Sequence, residues 1–290
     1  MSDSLEGLRR KLSGAEQLGA VVRAMKAVSA SSIVQYERAV EALGQYQRSV
    51  ELGLSLCLRE EPSVATRRLT STDSPTAALI FGSDQGLVGR FNEVISQFAV
   101  QALRKRPGPK TVWVVGERVC PALQAARLSV RKCFVVPASV AAITALVTQV
   151  QIEIEGYTAS DRYGEVLVFH NAPQGAGRYD GSSQRLLPLD EVWYERLRQL
   201  RWPNSQHAQV LGDPAASLHA LVHEQLFISL YRACAESLAS ENASRLAAMQ
   251  RAEDNIERVS DELRRSASRL RQSSIDEELF DVVAGFNALI

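Results

Sequence analysis

Proline is missing from both ends of this chain, and glycine is nearly missing from the C-terminal end. No proline occurs between Met1 and Glu61 or between Ala215 and Ile290, and the second stretch contains one glycine, Gly285. Because proline breaks a helix and glycine weakens it, each stretch is predicted to form one long helix. A compact enzyme would leave most of such a helix exposed to water, so these helices favour a part that reaches from one body to another.

A net charge and a membrane-length apolar run are also missing. Lys plus Arg and Asp plus Glu both number 33 among 290 residues, so the formal net charge is zero. Nucleic-acid-binding proteins usually have a basic surplus, and we therefore expect no nucleic acid partner. No apolar run approaches the ~20 residues that cross a bilayer, so we expect a water-soluble chain without direct membrane insertion. The first residues, MSDSLEGLRRKL, are charged from the third position, and no signal peptide is expected at this end.

Metal-binding cysteine patterns are missing as well. The four cysteines are Cys57, Cys120, Cys133 and Cys234. None of their spacings is CxxC or another metal pattern, and a reducing compartment is the simplest setting for them. His219 and His223, followed by Glu224, share one helix face as a metal site would need, but the sequence shows no third ligand. We predict neither a metal nor a cofactor.

The two terminal stretches have apolar or small residues at steps of three and four. In the first stretch these are Leu5, Leu8, Leu12, Ala15, Gly19, Val22, Met25, Tyr36, Val40, Leu43, Val50 and Leu54. In the last stretch they run from Leu218 to Met249, beyond which charged residues take most positions. Steps that average about 3.5 are the period of a coiled coil. We therefore predict helices over 1–58 and 213–290 that pair as a long antiparallel coiled coil.

The middle of the chain has a different character. Residues 59–76 are polar and contain two prolines, and they are predicted to be a linker. In residues 77–212 short apolar runs alternate with helical stretches, which predicts a mainly parallel sheet with crossover helices. The predicted strands are Thr76–Gly82, Thr111–Gly116, Val130–Val136, Gly164–His170 and, within the loop-rich region 171–212, Gln184–Leu189. The predicted helices are Phe91–Arg106, Glu117–Leu128 and Ser139–Glu155. The fold class is therefore α/β, with a Rossmann-like domain inserted between the paired terminal helices.

The run GSDQGLVGRFN, from Gly82 to Asn92, follows the first predicted strand and opens a helix. A phosphate-binding loop would occupy this place in a doubly wound sheet. Its spacing fits neither GxGxxG nor GxxxxGK[ST], so we interpret it as a tight turn whose glycines pack a helix on a strand. The structural residues of the turn are Gly82, Asp84, Gly86, Gly89 and Asn92. His170 is interpreted as a structural residue at the end of a strand, and no catalytic residue is predicted.

Four strings of the sequence fit one protein family. Residues 21–30 (VVRAMKAVSA) are similar to its K-I-T-x-A-M-x-M-V-A, and residues 83–92 (SDQGLVGRFN) to its S-D-[RKQ]-G-L-C-G-x-[FL]-N. Residues 236–255 (ESLASENASRLAAMQRAEDN) match its E-S-x-A-S-E-x-x-x-R-x-x-A-M-x-x-A-x-x-N. Residues 269–278 (RLRQSSIDEE) are similar to its closing N-x-x-R-Q-x-x-I-T-x-E. On these strings the whole chain resembles the gamma subunit of F-type ATP synthases.

Some positions depart from the family's pattern. Arg23, Val88 and Asp276 stand where the family has Lys, Cys and Thr. These departures indicate a divergent branch, such as an alternative ion-translocating ATPase. The sequence leaves open whether the assembly moves H⁺ or Na⁺, because the resemblance implies that this choice lies in the membrane ring.

The resemblance implies a rotor and not a catalyst. Such a subunit is the central stalk inside a ring of alternating alpha and beta subunits, and it couples ion flow to ATP synthesis or hydrolysis by rotation. The other implied partners are the epsilon subunit and the membrane ring of c subunits, which the α/β domain would bind. The implied place is peripheral, on the cytoplasmic face of the bacterial inner membrane. No cofactor is implied for this subunit.

The resemblance also implies which residues contact the catalytic ring. Arg271, Gln272 and Asp276 would make polar contacts to a loop of the catalytic subunit, and Met25 would pack near the lower rim of the ring. An apolar collar at the tip would comprise Ile275, Leu279, Val282, Val283, Phe286, Leu289 and Ile290.

Two other readings of the residues stay open at this point. A nucleotide-using enzyme could be built on the central sheet, and it predicts that ATP or NAD binds the isolated chain. A free-standing coiled-coil adaptor would explain the helices but gives no reason for the α/β insert or for the string 236–255.

Overall fold

The structure is a computed structural model that describes residues 4–60, 75–159, 164–175, 177–189, 191–203 and 208–287. Within the chain two compact units are distinguished. Residues 1–29 and 245–290 form the terminal unit, and residues 30–244 form the sheet unit. Most of the predicted linker 59–76 lies outside the described residues.

Two long helices occupy the ends of the described chain. Helix α1 covers Leu5–Glu60 and helix α6 covers Pro214–Asn287. Between them come β1 (Thr76–Phe81), α2 (Phe91–Arg104), β2 (Lys110–Val115), α3 (Cys120–Ala125), β3 (Val130–Phe134), α4 (Val140–Thr158), β4 (Glu165–Pro173), β5 (Tyr179–Leu187) and α5 (Glu191–Arg198). The predicted fold class, an α/β sheet domain inserted between long terminal helices, is confirmed.

The sheet of the sheet unit has the strand order β3-β2-β1-β4-β5. Strands β1 to β4 run parallel to one another, and β5 runs antiparallel to β4. Parallel neighbours need a crossover connection, which α2, α3 and α4 supply, whereas a hairpin is enough for β5. The carboxyl ends of β1, β2 and β3 therefore lie along one edge of the sheet.

The two faces of the sheet carry separate apolar cores. On one face Ile80 packs with Ile95 of α2 and Leu123 of α3. On the other face Leu79 packs in a core that includes Leu230 of α6 and residues of α4. Because both faces are covered, the inner strands β1, β2 and β4 are mostly apolar and do not alternate, whereas the two end strands, β3 and β5, carry polar residues.

The region 171–212 is more regular than the loop-rich prediction. The predicted strand Gln184–Leu189 begins earlier, at Tyr179, and the strand predicted to end at His170 continues to Pro173, because the two form a hairpin. Residues 191–198 form helix α5, whose Leu197 is fully buried against α1 and α6. The prediction was wrong here because polar edge residues hide the hairpin from a hydrophobicity pattern.

The predicted helix Glu117–Leu128 is also divided in the structure. A short 3-10 helix at Glu117–Val119 precedes α3, which ends at Ala125. Pro121 lies in the first turn of α3, where its missing N–H costs no helical hydrogen bond.

The long helix α6 begins at a side-chain cap. The carboxylate of Asp213 accepts hydrogen bonds from the backbone nitrogens of Ala215 and Ala216, at 3.2 and 3.3 Å. These bonds satisfy two of the four free donors at a helix start. No helix in the described ranges is long and apolar enough to span a bilayer.

Candidate partner-binding surfaces and the turn that closes the sheet

The turn after β1 holds the carboxyl ends of three strands together through Asp84. One carboxylate oxygen of Asp84 accepts a hydrogen bond from the nitrogen of Glu117, just after β2, at 3.0 Å. The other accepts a bond from the nitrogen of Val136, just after β3, at 2.7 Å. The guanidinium of Arg118 in turn donates to the Asp84 carbonyl at 3.3 Å. Both oxygens of the carboxylate are therefore engaged inside the protein.

A second set of bonds closes the turn on itself. The Asn92 side chain accepts from the Ser83 nitrogen at 2.9 Å and donates to the Ser83 hydroxyl at 2.8 Å. That hydroxyl donates to the carbonyl of Gln85 at 2.9 Å. The first turn of α2 is thereby tied to the end of β1.

Two glycines allow close packing at this point. A Cβ on Gly82 would lie 2.5 Å from a methyl of Val119, and a Cβ on Gly116 would lie 2.7 Å from the backbone of Gly82. Any side chain at either position would force the end of β2 away from the end of β1. Gly89 has a positive φ of 54°, and Gly86 faces the guanidinium of Arg118.

Helix α6 contacts the turn and the end of β4 through small polar side chains. The Ser244 hydroxyl donates to the carbonyl of Val88 and lies 3.1 Å from the Tyr179 hydroxyl. The Ser240 hydroxyl donates to the carbonyl of Asn171 at 2.9 Å. These contacts were not predicted from sequence, although serines spaced by three and four in the string 236–255 were a signal for one closely packed helix face.

His170 lies within β4 and not at its end, and it has a partner on α6. Its Nε2 atom is 2.8 Å from the Glu236 carboxylate, and its side chain is 6% exposed. Next to it the amide of Asn171 donates to the carbonyl of Phe91 at 3.0 Å. These contacts join the sheet to α6 and to α2.

The two helix segments of the terminal unit lie side by side and antiparallel. The ammonium of Lys26 forms an ion pair with Glu253 and donates to the Gln250 side chain at 2.7 Å. Further along, Arg264 pairs with Glu16 at 3.2 Å. The sequence positions rise on one segment as they fall on the other, which is the pairing that the apolar periodicity predicted.

Small residues bring these two segments close. A Cβ on Gly19 would lie 3.6 Å from the Ile256 side chain, which is ordinary van der Waals contact. Met25 is half-buried, and Ser29 is almost fully buried. Val21 and Val28 are exposed, so the paired segments leave some apolar side chains for another surface.

The last part of α6 is exposed on all sides. Arg271, Gln272 and Asp276 are exposed, and within the described ranges none of the three has a hydrogen bond or ion pair. Apolar residues are exposed there too, namely Ile275 (50%), Leu279 (58%), Phe280 (74%), Val282 (70%) and Val283 (54%). Of the predicted collar, the Phe286 side chain, Leu289 and Ile290 lie outside the described residues.

Three of the exposed apolar residues of this tip form one stripe, and Phe280 lies outside it. Steps of four and three lead from Ile275 to Leu279 and Val282, so the three side chains share one helix face. An unpartnered apolar stripe on a helix is typical of a surface that another protein covers.

The two histidines on α6 do not converge on a common ligand. His223 Nε2 lies 3.1 Å from the Glu155 carboxylate of α4, and this contact is an ion pair when the imidazole is protonated. In the described parts of the chain no three His, Cys, Asp or Glu side chains are grouped as a metal site requires.

The thiol of Cys133 lies against Cys120 at the same sheet edge as the turn. Burial, with the charges of Cys120, Asp84 and Glu117, raises the pKa of Cys133 to about 11. The thiol therefore keeps its proton at neutral pH although the residue is exposed.

Comparison with known proteins matches the chain to one family along nearly its whole length. A family model described as "ATP synthase" matches residues 4–289. An ATP synthase gamma chain of Geobacter sp. (strain M21) is 26% identical over 298 aligned residues, which cover 99% of each chain.

Two solved structures share the fold. One is the Tetrahymena thermophila mitochondrial ATP synthase central stalk and c-ring, with a TM-score of 0.57, 24% identity and coverage of 80% of this chain and 99% of that one. The other is the Euglena gracilis mitochondrial ATP synthase assembly of OSCP, F1 and c-ring, with a TM-score of 0.62, 16% identity and coverage of 98% and 94%.

Proposed function

Since the chain belongs to the ATP synthase family and its curated relatives are gamma chains along their full length, we propose that it is the central-stalk rotor subunit of an F-type ATP synthase or ATPase. In this role it couples ion flow through the membrane ring to ATP synthesis or hydrolysis in the alpha and beta head. The observation that carries the proposal is the full-length match, with sheet unit and terminal helices both included.

A rotor of this kind performs no bond chemistry. It works through its asymmetry, because a turning shaft presents different surfaces to successive catalytic subunits and shifts each between open and closed states. Transmission of torque needs a stiff rod. The ion pair of Lys26 with Glu253 and the close approach at Gly19 support a stiff pair of segments in the terminal unit.

The polar tip residues are proposed to contact the catalytic subunit. Arg271, Gln272 and Asp276 are exposed and, in the described chain, have no internal partner to compete for them. A guanidinium that is shielded from water by a partner can make charge-assisted hydrogen bonds worth about 1.5–3 kcal/mol each. Arg271 is therefore expected to contribute most of the three.

The apolar stripe is proposed to turn inside a collar of the alpha and beta subunits. Ile275, Leu279 and Val282 offer aliphatic side chains with no hydrogen-bonding group. Such a surface excludes water but has no directional bonds, so it resists rotation less than a polar surface would. Met25, half-buried on α1, is proposed to pack at the lower rim of the same ring.

The sheet unit is proposed to bind the epsilon subunit and the ring of c subunits. The turn from Gly82 to Asn92 acts there as a joint that fixes the edge of the sheet. Its internal hydrogen bonds support this role over nucleotide binding, since Asp84 and Asn92 are used within the protein. The proposed location is peripheral, on the cytoplasmic face of the bacterial inner membrane.

Co-purification tests the rotor against a free-standing adaptor. A tagged full-length chain expressed in its own cells should bring down alpha and beta subunits in several copies per tagged chain, together with epsilon and the c ring. Purified complex should hydrolyse ATP, and the tagged chain alone should not. A tagged chain that purifies without alpha and beta subunits would refute the rotor and favour the coiled-coil adaptor.

A further inference from the structure

A cavity of about 440 Å³ lies at the edge of the sheet opposite to the Gly82–Asn92 turn. It lies beside the amino ends of β2 and β3 and the carboxyl end of α2. Its lining comprises Val100, Arg104, Lys110, Ala126, Arg127, Leu128 and Ser129. Three of these residues are cations, one carries a hydroxyl group, and none is an acid. In a chain whose net charge is zero, this cavity is a local concentration of positive charge.

Two of the cations have no counter-ion in the part of the chain that the structure describes. Among the described residues, neither Arg104 nor Arg127 has a side-chain hydrogen bond or ion pair. Two nearby cations are paired, Arg106 with Glu165 and Lys132 with Glu153 at 2.6 Å. Lys105 and Arg131 are unpaired in the described chain like Arg104 and Arg127, but they lie outside the lining of the cavity. Lys110 donates to the carbonyl of Gly108 at 3.1 Å, which leaves two of its three donors.

Arg127 occupies a backbone position that glycine usually fills. The nitrogen of Leu128 donates to the Leu123 carbonyl at 3.0 Å, and the nitrogen of Arg127 donates to the Gln124 carbonyl at 2.9 Å. This pair of bonds is the Schellman motif that ends a helix, and its left-handed residue is most often glycine. Arg127 has a φ of +61° there, a conformation that costs free energy for a residue with a Cβ.

The helix ends explain only part of this arrangement. A cation in the last turn of α2 complements the negative end of the helix dipole, which is a sufficient reason for Arg104. Helix α3 has six residues and a correspondingly small dipole, so this reason is weak for Arg127. Since Arg127 is strained and has no partner in the described chain, its position indicates a bound ligand that is not part of the protein.

We propose that this cavity binds a phosphate group. Guanidinium groups match the oxygens of phosphate with paired hydrogen bonds, and a lysine ammonium adds a point charge. The hydroxyl of Ser129 supplies a further donor. The ligand is either a soluble phosphate compound or the headgroup of an anionic phospholipid, which present the same chemistry to the cavity. The cavity lies on the sheet unit, and the proposal that it binds phosphate does not depend on the assignment of the chain as a rotor.

The full-length chain provides a direct test. Pyrophosphate is titrated into it by calorimetry at low salt, and its flotation with phosphatidylglycerol vesicles is compared with flotation on phosphatidylcholine vesicles. We expect saturable binding in at least one of these two arms, the pyrophosphate titration and the vesicle flotation. Binding of pyrophosphate would identify a soluble phosphate compound as the ligand, and flotation on phosphatidylglycerol alone would identify a lipid headgroup. R127G and R104Q should each weaken that binding by about tenfold or more.

The control variants separate the cavity from net charge and from folding. K105Q removes one charge from the same helix end but from a side chain outside the cavity, and it should change affinity by less than about twofold. R127G should also raise the melting temperature, because it relieves the left-handed strain. L87G relieves the same strain at Leu87, which has a φ of +62° and lies outside the lining of the cavity, and it should leave binding unchanged.

Three results would overturn the proposal. They are no binding in either arm, equal weakening by K105Q and R127G, and binding that R127G leaves intact. None of them bears on co-purification with alpha and beta subunits, so the two proposals fail separately.

Discussion

The carboxylate of Asp84 accepts a hydrogen bond of 2.7 Å from the nitrogen of Val136, which lies 52 residues further along the chain. Its other oxygen accepts from Glu117 at 3.0 Å, so one side chain fixes the ends of β2 and β3 to the end of β1. Replacement by alanine should lower the free energy of unfolding by about 2–3 kcal/mol, since two backbone donors lose a charged acceptor.

Urea denaturation followed by circular dichroism measures this change. D180N is the matched control, because Asp180 is exposed in β5, and a change of less than about 0.5 kcal/mol is expected there. A loss of under 0.5 kcal/mol for D84A would contradict the role assigned to the turn.

The ion pair of Lys26 with Glu253 should be energetically coupled. Its side chains are 30% and 12% exposed, so solvent screens it less than a surface pair. A double-mutant cycle with K26A and E253A should give a coupling of about 1 kcal/mol. The exposed pair of Glu16 and Arg264 is the control, with a coupling of about 0.3 kcal/mol or less.

For each pair, thermal unfolding of the unchanged chain, the two single variants and the double variant measures the coupling. Added salt should reduce the coupling of the exposed pair more than that of the half-buried pair. Equal couplings for the two pairs would show that burial does not distinguish them.

Arg271 and Gln272 should matter only in the assembled complex. Together, R271A and Q272A should reduce the ATPase rate of the reconstituted enzyme by about tenfold, which corresponds to the loss of one shielded charge-assisted bond. Because both side chains are exposed, the double change should leave the melting temperature of the free chain unchanged. R265A, another exposed arginine of α6, is the control, and an unchanged rate in the double variant would remove the proposed contact.

A charge at Met25 should disturb coupling more than it disturbs hydrolysis. M25K adds a cation beside Lys26 on a half-buried position, where burying an unpaired charge would weaken the proposed packing against the ring. Part of the ATP would then be hydrolysed without moving ions, so the ratio of ions to ATP should fall. The measured quantity is the number of ions moved per ATP hydrolysed in vesicles. A20K places the same charge on an exposed position as a control, and an unaltered ratio in M25K would exclude Met25 from the contact.

Cys133 should react slowly with alkylating reagents at neutral pH and faster as the pH rises. Burial first, and the neighbouring Cys120 second, raise its pKa from 9.0 to about 11, and the thiolate is the reactive form. Alkylation rates measured by mass spectrometry between pH 7 and pH 11 should therefore keep increasing to the end of the range. C120A should shift the profile to lower pH, and a half-maximal rate near pH 8 in the unchanged chain would contradict the raised pKa.

The same shift has a consequence for stability. Between the two pKa values the unfolded chain loses the Cys133 proton while the folded chain keeps it, so folding becomes less favourable as the pH rises. The contribution of Cys133 to stability is therefore present below pH 9.0 and lost on the way to about pH 11.

The sequence by itself determined the elements that depend on local pattern. Long runs without proline, with apolar residues at steps of three and four, specify the helices α1 and α6, since breakers are absent and one face is apolar. Short, mostly apolar runs between helical stretches specify the parallel strands β1, β2 and β4. The string 236–255 also identified the family, because its polar residues follow a pattern that packing alone does not require.

Only the tertiary structure decided which distant groups meet. Strand β5 is the last strand of the described sheet, and of its nine residues Leu186 alone is buried, so its pairing with β4 left no apolar signal in the sequence. The partners of Asp84 lie 33 and 52 residues away, and the sheet order that brings them together is a property of the whole fold. The left-handed backbone of Arg127 was likewise hidden, because the residue that ends α3 there is not the glycine that a helix end usually shows.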